Sequence, residues 1–239
     1  MEIDNSKQTV SVVLPSYNER DNIEEAIRRI SSSLGDKLLE IIVVDDNSPD
    51  QTWKLVEDLK LPYVRVIRRI NEKGLSSALA DGIDSAQGDI VVWLDCDLGL
   101  SPEEIPRLVS QLDTHDVAIA SRYVKGGKDP RPPLRIFLSV MINLFSASLL
   151  GFGVRDYTSG FCAAKRRVFD NISFSRRGFG EYFIEFAYKC QKNKLKITEV
   201  PCVYSIRTGG VSKSDGSLWT LLKLGRDYCI RIISLRFQS

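Results

Sequence analysis

The chain has 239 residues, of which 43% are hydrophobic and 27% are charged, and its formal net charge is +2. This length and composition suit one substantial globular domain and exclude the compositional bias of a disordered protein. A net charge so close to zero provides no overall positive field to attract nucleic acid, so we expect no nucleic-acid partner.

The first half of the chain alternates strand and helix patterns. Short apolar runs predict strands at 10–15, 39–44, 64–67, 90–94 and 117–121. Apolar residues at helical spacing predict helices at 23–34, 51–59, 75–86 and 102–112. Ser101 is expected to cap the last of these helices. Short apolar strands separated by helices predict an α/β fold with a parallel, doubly wound sheet.

Ligands of such sheets bind at the carboxyl ends of the strands. The strand at 90–94 is followed by Asp95, Cys96 and Asp97, which places two carboxylates one residue apart. Oxygen ligands of this kind suit Mg²⁺ or Mn²⁺, and a cation here could hold a diphosphate. The alternative is that acidic residues follow many strands simply because loops are solvated.

Two more strand ends carry polar segments. After the first strand, Tyr17 could stack on a base, whereas its neighbours Asn18 and Asp21 could do no more than cap the following helix. After the second strand, Asp45 and Asp46 can accept hydrogen bonds from a base or a ribose. An Asx-type turn at Asn-Ser-Pro, 47–49, is the alternative there.

The composition changes after residue 124. Glycine and proline are so frequent at 125–133 that we interpret this segment as a mobile loop. Residues 136–154 contain no charge and approach the length of a membrane span. A second stripe of polar residues, including Ser139 and Asn143, favours a helix lying in the membrane interface over one crossing the membrane. An ordinary core helix is equally open.

Several segments occur together in one order: Pro-Ser-Tyr-Asn-Glu at 15–19, Asp-Asp-Asn-Ser-Pro-Asp at 45–50, Asp-Cys-Asp at 95–97, Ser-Arg-Tyr-Val-Lys at 121–125 and Asp-Tyr-Thr-Ser-Gly-Phe at 156–161. This combination resembles the inverting glycosyltransferases of the GT-A fold. Within them, residues 10–213 are similar to the polyprenol-phosphate mannosyltransferases of the dolichol-phosphate mannose synthase type. The resemblance implies a GT-A, Rossmann-like sheet that is mixed but mostly parallel, with helices on both faces and interfacial amphipathic helices.

The resemblance also implies roles for individual residues. Asp95 and Asp97 would be the metal ligands, with Asp97, Arg122 and Arg207 as the catalytic residues. Gly99 departs from the family pattern, which often has a polar residue there, so a third protein ligand is expected to be missing. The full set of nucleotide-sugar contacts would be Pro15, Tyr17, Glu19, Val44, Asp45, Asp46, Asp95, Cys96, Asp97, Arg122, Arg207 and Lys213.

Basic side chains are expected to contact the phosphates of the donor. Arg122 can meet phosphate with a bidentate fork and Lys125 as a mobile point charge, although both could be plain surface cations. Arg207 and Lys213 match a late segment that closes over the donor in similar enzymes.

On the acceptor side, Arg135 and Ser139 lie one helical turn apart and match the family's site for the lipid phosphate. Asp156, Thr158 and Ser159 would order the acceptor pocket.

The expected function is therefore metal-dependent, inverting transfer of a sugar to a polyprenyl monophosphate such as dolichyl phosphate, with mannose from GDP-mannose as the first choice. A glucosyltransferase that uses UDP-glucose is one alternative, because no residue visible in the sequence distinguishes the two sugars. A non-catalytic subunit that binds a nucleotide-sugar and recruits a partner to membranes is another. The expected cofactor is Mg²⁺ or Mn²⁺.

The partners expected are a nucleotide-sugar donor, a polyprenyl phosphate lipid and the membrane surface. From 218 onward, basic and apolar residues alternate in an amphipathic pattern suited to anionic lipid. We expect a peripheral protein on the cytoplasmic face of the membrane, with or without a separate membrane-anchoring subunit. Scattered cysteines without a C-x-x-C pair fit such a reducing compartment.

We interpret residues 1–239 as a single catalytic domain. Residues 1–124 would bind the nucleotide-sugar, and 125–155 would form the mobile loop and the interfacial helix. Residues 156–239 would form the acceptor half, the lid loop and the basic amphipathic C-terminus.

Overall fold

A computed structural model describes residues 8–204 and 218–237, the latter without the side chains of 218–222. Seven strands of the described chain form one sheet. They are β1 (Val10–Ser16), β2 (Leu38–Asp45), β3 (Val64–Arg68), β4 (Ile90–Trp93), β5 (Val117–Ser121), β6 (Cys162–Lys165) and β7 (Ile197–Pro201).

The sheet has the strand order β3-β2-β1-β4-β6-β5-β7. Strands β1, β2, β3 and β4 pair in parallel, as do β5 and β7, whereas β6 runs antiparallel between β4 and β5. The prediction of a mixed, mostly parallel sheet is confirmed. Because β6 is inserted with reversed direction, β4 and β5 still point the same way, so the ends of β1, β2, β4 and β5 meet at one edge.

Helices cover both faces of the sheet. The described helices are α1 (Ile23–Leu34), α2 (Thr52–Asp58), α3 (Leu75–Ser85), α4 (Ile105–Gln111), α5 (Pro133–Leu150), α6 (Glu181–Lys192) and α7 (Leu218–Phe237). The predicted helix at 102–112 begins as a 3₁₀ turn, Pro102–Glu104, before α4. Ser101 occupies the N-cap position of this turn, as predicted, but its hydroxyl bonds to the Glu103 carboxylate and makes no cap hydrogen bond.

Two apolar cores lie on opposite faces of the sheet, which explains why the parallel strands are almost continuously hydrophobic. α3 approaches β1 so closely that a Cβ at Gly82 would lie 2.3 Å from Cγ1 of Val13. On the same face, the Trp93 ring meets Phe186 and Phe174 edge-on, with centroids 5.2 Å and 5.6 Å apart. Trp93 is the last residue of β4, so this aromatic cluster fixes the strand end that carries the acidic pair.

The apolar helix predicted at 136–154 is α5, which starts earlier and ends at Leu150. By length and composition alone it could cross a membrane, with a mean hydropathy of 1.6. Only 22% of this segment is buried, and its buried face includes Asn143, Ser146 and Ala147. α5 packs against α7. One face of α5 is therefore covered by protein and the other is exposed.

Candidate active site

A cavity of about 470 Å³ opens at the carboxyl edge of the sheet. Its walls come from the ends of β1, β2, β4 and β5, the start of α3, the turn at 158–160 and the segment around the start of α6, with α7 contributing one side chain. The residues that line it are Pro15, Ser16, Tyr17, Glu19, Asp46, Lys73, Gly74, Leu75, Ala78, Asp95, Cys96, Asp97, Arg122, Arg131, Thr158, Ser159, Gly160, Phe179, Gly180, Tyr182, Phe183, Tyr204 and Tyr228.

The acidic pair follows β4 directly and lines this cavity. Asp95 is exposed, whereas Cys96 and Asp97 are buried. The Cys96 thiol donates to the carbonyl of Pro15 at 3.3 Å, which ties the end of β4 to the end of β1. The backbone N–H of Gly99 donates to Oδ1 of Asp97 at 2.8 Å, so the turn that follows the pair orients the second carboxylate.

The pair fits one kind of metal site. Among residues 8–204 and 218–237, no group of three or more His, Cys, Asp or Glu side chains is arranged to hold a metal ion. Mg²⁺ is commonly held by one or two carboxylates together with waters and substrate phosphates. Asp95 and Asp97 therefore suit a cation that arrives with a diphosphate and do not form an all-protein cage.

Asp46 lies at the end of β2, where it is buried and fixed by Arg69. Its Oδ1 accepts from Nε of Arg69 at 2.7 Å, and its Oδ2 accepts from the N–H of Gly74 at 2.7 Å. The Arg69 guanidinium also donates to the Ser77 hydroxyl at 2.8 Å. Asp46, which directly follows β2, is thus held at the cavity wall by residues between β3 and α3.

Two predicted nucleotide-sugar contacts next to Asp46, namely Val44 and Asp45, do not line the cavity. Asp45 is fully buried, and its carboxylate accepts from the N–H and the hydroxyl of Ser48 at 2.8 Å and 2.6 Å. These bonds close a turn at 45–48, whereas the Asx-type turn left open as the alternative centres on Asn47, whose side chain accepts from Arg68. Val44 is buried within β2 and packs in the core.

Arg122 lines the cavity, but its fork binds a partner within the protein. Its Nε and Nη2 donate to the two oxygens of Asp156 at 2.9 Å and 2.8 Å, and Nη2 also donates to the Thr158 hydroxyl at 2.8 Å. The bidentate fork that the sequence assigned to phosphate is directed at Asp156 instead, because a buried charge needs a paired partner. Burial alone would lower the pKa of Arg122, but Asp156 raises it above its ordinary value.

Only some of the predicted acceptor residues line the cavity. Thr158 and Ser159 line the cavity, while Ser139 lies behind Thr158, with the two hydroxyls 3.3 Å apart. Arg135, one turn earlier in α5, is partly buried and is not among the lining residues. Lys125 is exposed and does not line the cavity either. Arg207 and Lys213 lie outside the described residues.

Two tyrosines, the buried Tyr182 and the partly buried Tyr228, close the far wall. Burial raises the pKa of Tyr182 well above its ordinary value, and the nearby Asp95 adds to the effect. Burial also raises the pKa of Tyr228 to about 12, with a further contribution from Glu181. Both hydroxyls therefore stay protonated at neutral pH and can donate hydrogen bonds. A Cβ at Gly180 would lie 1.9 Å from the Tyr228 hydroxyl, so this glycine lets α7 reach the cavity.

Sequence reasoning missed several lining residues. Lys73 lies 5.1 Å from the centre of the Tyr17 ring, and Arg131 lies 5.4 Å from the centre of the Tyr204 ring. The segment containing Lys73 follows β3, so the rule that ligands meet strand ends could have found it. Tyr204 follows β7 and Tyr228 lies within α7, neither in a recognisable motif, so only the fold brings them to the cavity.

The sequence matches the family model described as Glycosyl transferase family 2 over residues 11–173. It is 41% identical to a protein of Pyrococcus furiosus named dolichol-phosphate mannosyltransferase, over 87% of this chain and 59% of that protein. It is 36% identical to a Mycolicibacterium smegmatis protein named polyprenol monophosphomannose synthase, over 88% of this chain and 82% of that protein. The chain thus spans less than two thirds of the Pyrococcus protein and most of the mycobacterial one.

Solved structures share the fold. Glucosyl-3-phosphoglycerate synthase from Mycobacterium tuberculosis, determined with Mn²⁺, uridine diphosphate and phosphoglyceric acid, superposes with a TM-score of 0.75 at 24% identity. The match covers 97% of this chain and 80% of that one. At this identity the likeness shows the GT-A architecture.

Proposed function

Because this chain belongs to glycosyl transferase family 2, we propose that it transfers mannose from GDP-mannose to the phosphate of a polyprenyl monophosphate, such as dolichyl phosphate. The observation that carries the proposal is the acidic pair, Asp95 and Asp97, at the wall of a cavity large enough for a nucleotide-sugar. The names of the archaeal and mycobacterial relatives support mannose and a polyprenyl phosphate as the two substrates.

On the donor side, the cavity has side chains suited to the parts of a nucleotide. Tyr17, with Lys73 over its ring, provides a face on which a base can stack. Asp46 is held rigidly by Arg69 and can accept hydrogen bonds from base or ribose. Arg122 and Arg131 also line this cavity, each ion-paired with a carboxylate, Asp156 and Asp129 respectively.

The donor diphosphate would be held with a divalent cation by Asp95 and Asp97. When bound, Mg²⁺ or Mn²⁺ would supply charge neutralisation on the leaving diphosphate. The Mycobacterium tuberculosis synthase of the same fold was determined with Mn²⁺ and uridine diphosphate, which supports a divalent cation here. The Gly99 N–H donates to one oxygen of Asp97 and so orients this carboxylate.

A phosphate acceptor does not require a strong general base in this cavity. A phosphate monoester has a second pKa of about 6, so at neutral pH its oxygen attacks without a strong general base. The new bond joins this oxygen to the anomeric carbon, the bond to the diphosphate breaks, and the anomeric configuration inverts. His115, the chain's single histidine, lies away from the cavity, with Nδ1 3.2 Å from the Gln111 carbonyl.

We place the protein on the cytoplasmic face of the membrane as a peripheral enzyme. The polyprenyl tail must remain in lipid while its phosphate reaches the cavity. Helix α5, whose outer face is apolar and exposed, runs from the loop beside the cavity, and α7 packs against it. This arrangement supports a membrane surface next to the site.

A direct test incubates the full chain and membranes with labelled GDP-mannose, GDP-glucose or UDP-glucose, with and without Mg²⁺ or Mn²⁺. We expect label from GDP-mannose to enter the lipid fraction only when a cation is present. Asp97→Asn is expected to lower the rate at least about 100-fold, because a ligand of the leaving diphosphate is lost.

The controls separate the remaining alternatives. Asp50→Asn changes an acid at the same edge of the sheet whose carboxylate bonds to Thr52, outside the cavity lining, and should retain most of the transfer rate. Label entering lipid from UDP-glucose instead would identify a glucosyltransferase. No lipid label from any donor, despite binding of GDP, would identify a non-catalytic nucleotide-sugar-binding subunit.

A further inference from the structure

Tyr204, which lies outside the sequence motif, is a neighbour of the acidic pair Asp95 and Asp97. Gly99 follows Asp97 by two residues and has no side chain to offer. A Cβ built on Gly99 would lie 2.8 Å from the hydroxyl of Tyr204 and 3.0 Å from Oδ1 of Asp97. The Tyr204 hydroxyl therefore occupies the place into which a side chain at position 99 would extend, beside the buried carboxylate of the pair.

Several contacts hold Tyr204 in this position. Its backbone N–H donates to the Lys128 carbonyl at 3.0 Å, and its backbone forms an isolated bridge with Leu100. The Arg131 guanidinium lies over its ring at 5.4 Å, and Arg131 is itself held by Asp129, with Nη2 and Oδ2 2.6 Å apart. The ring is thus clamped between the turn after β4 and the segment at 128–131.

We infer that the Tyr204 hydroxyl takes the place of a third protein donor, by hydrogen bonding to an oxygen in the coordination shell of the cation held by Asp95 and Asp97. This inference rests on the metal-dependent function proposed above. A neutral phenol is a poor direct ligand for Mg²⁺ or Mn²⁺, but it is a good donor to a bound water or a diphosphate oxygen. Tyr204 is therefore a positioning residue, which acts on the cation through another atom.

The test measures Mn²⁺ binding directly and does not depend on sugar transfer. Free Mn²⁺ is followed by electron paramagnetic resonance while the full chain is titrated at saturating GDP, and GDP binding is measured separately by calorimetry without metal. We expect Tyr204→Phe to weaken Mn²⁺ binding about 3- to 10-fold, the effect of one hydrogen bond. GDP binding without metal should not change, whereas a disturbed cavity would weaken both.

Tyr63→Phe is the matched control, since Tyr63 is partly buried against the core that includes α1 and does not line the cavity. It should leave both affinities unchanged. Equal Mn²⁺ affinity of Tyr204→Phe and the unaltered chain would overturn the inference and leave the proposed function standing. A chain that binds GDP but no Mn²⁺ would overturn both the inference and the metal dependence.

Combined substitutions at 99 and 204 test whether side chains at these two positions occupy the same place. In the Tyr204→Ala background, Gly99→Gln should restore Mn²⁺ affinity, because the place beside Asp97 is then open to an amide oxygen, a ligand type that would suit the cation. With Tyr204 present, the same Gly99→Gln should weaken binding, since its Cβ would meet the hydroxyl at 2.8 Å. An effect of Gly99→Gln that is the same in both backgrounds would contradict the inference.

Discussion

At the scale of single residues, the cavity depends on charged side chains that are held by other charges. Asp46 and Arg69 are both almost completely buried. Burying either one alone would be costly, and their mutual geometry satisfies most of their hydrogen-bonding groups. The same logic pairs Arg122 with Asp156. The carboxylate and guanidinium groups facing the cavity are therefore pre-positioned before a substrate arrives.

Replacing Arg69 with lysine tests this pre-positioning. A lysine ammonium cannot reach Asp46 and Ser77 together as the guanidinium does, because it has one donor nitrogen. We expect Arg69→Lys to lower the free energy of unfolding by about 1–3 kcal/mol and to weaken GDP binding several-fold. Urea denaturation and calorimetry measure the two effects.

Arg68→Lys is the matched control for that experiment. Arg68 is exposed at the end of β3, where its guanidinium bonds to Asn47 and lies 3.6 Å from the centre of the Trp53 ring. This change should leave GDP affinity near that of the unaltered chain. Equal GDP affinity in the Arg69 and Arg68 variants would show that Arg69 does not orient the nucleotide site.

The sequence predicted those cavity residues whose position depends on strand ends alone. Tyr17, Asp46, Asp97 and Arg122 all follow apolar runs, and the structure brings them to one cavity. The sequence could not tell which member of an Asp-Asp pair faces inward. Because adjacent residues at a strand end point to opposite sides, one aspartate lines the cavity and Asp45 closes a turn.

At the scale of elements, Glu40 joins the strands at the amino-terminal edge of the sheet. It lies in β2 and accepts from the Ser11 hydroxyl of β1 at 2.8 Å and from Nε of Arg65 of β3 at 2.7 Å. The backbone N–H of Gln87, before β4, donates to it at 2.8 Å. Burial alone would raise the pKa of Glu40, but Arg65 and the other donors hold it below its ordinary value.

The lowered pKa fixes the pH range in which Glu40 contributes. A carboxyl whose pKa is lower in the folded state stabilises the fold fully above its unfolded pKa, about 4.3, and loses this contribution as pH falls through the folded value. Glu40→Gln should lower the free energy of unfolding by about 1–3 kcal/mol at neutral pH. The difference from the unaltered chain should shrink below about pH 4.3.

Urea denaturation from neutral pH down to about pH 3.5 measures this difference. Glu57→Gln, which changes an exposed carboxyl on α2, is the matched control and should have little effect at any pH. A cost of Glu40→Gln that increases on acidification would contradict the assignment of the lowered pKa.

Elements with strong local periodicity were predicted within a few residues, and elements defined by distant partners were not. β5 has the predicted bounds, Val117–Ser121. In contrast, β6 reads Cys-Ala-Ala-Lys and has little β-propensity, so only its pairing with β4 and β5 makes it a strand. The helical spacing of Tyr182, Phe183 and Phe186 in α6 gave a usable signal that the sequence interpretation did not use.

At the scale of the whole molecule, apolar side chains are exposed on two helices that pack against each other. On α5, Phe137 and Leu144 are 60% and 57% exposed, and Met141 lies between them on the same helical face. On α7, Ile230 and Phe237 are 58% and 82% exposed. Exposed apolar groups at this spacing are typical of helices that lie in a membrane interface.

If this apolar face contacts lipid, the double variant Phe137→Asp/Met141→Asp should weaken binding to phospholipid vesicles more than about 10-fold, since burial of each side chain contributes roughly 1.5–3 kcal/mol. Co-sedimentation with vesicles containing anionic lipid measures this loss.

Leu39→Asp is the matched control, because Leu39 is 41% exposed at the start of β2, at the edge of the sheet opposite the cavity. Transfer to a short-chain prenyl phosphate in detergent should persist in both variants, because the cavity residues are unchanged. Vesicle binding equal to that of the Leu39 variant would show that α5 does not contact lipid and would leave the acceptor to reach the cavity by another route.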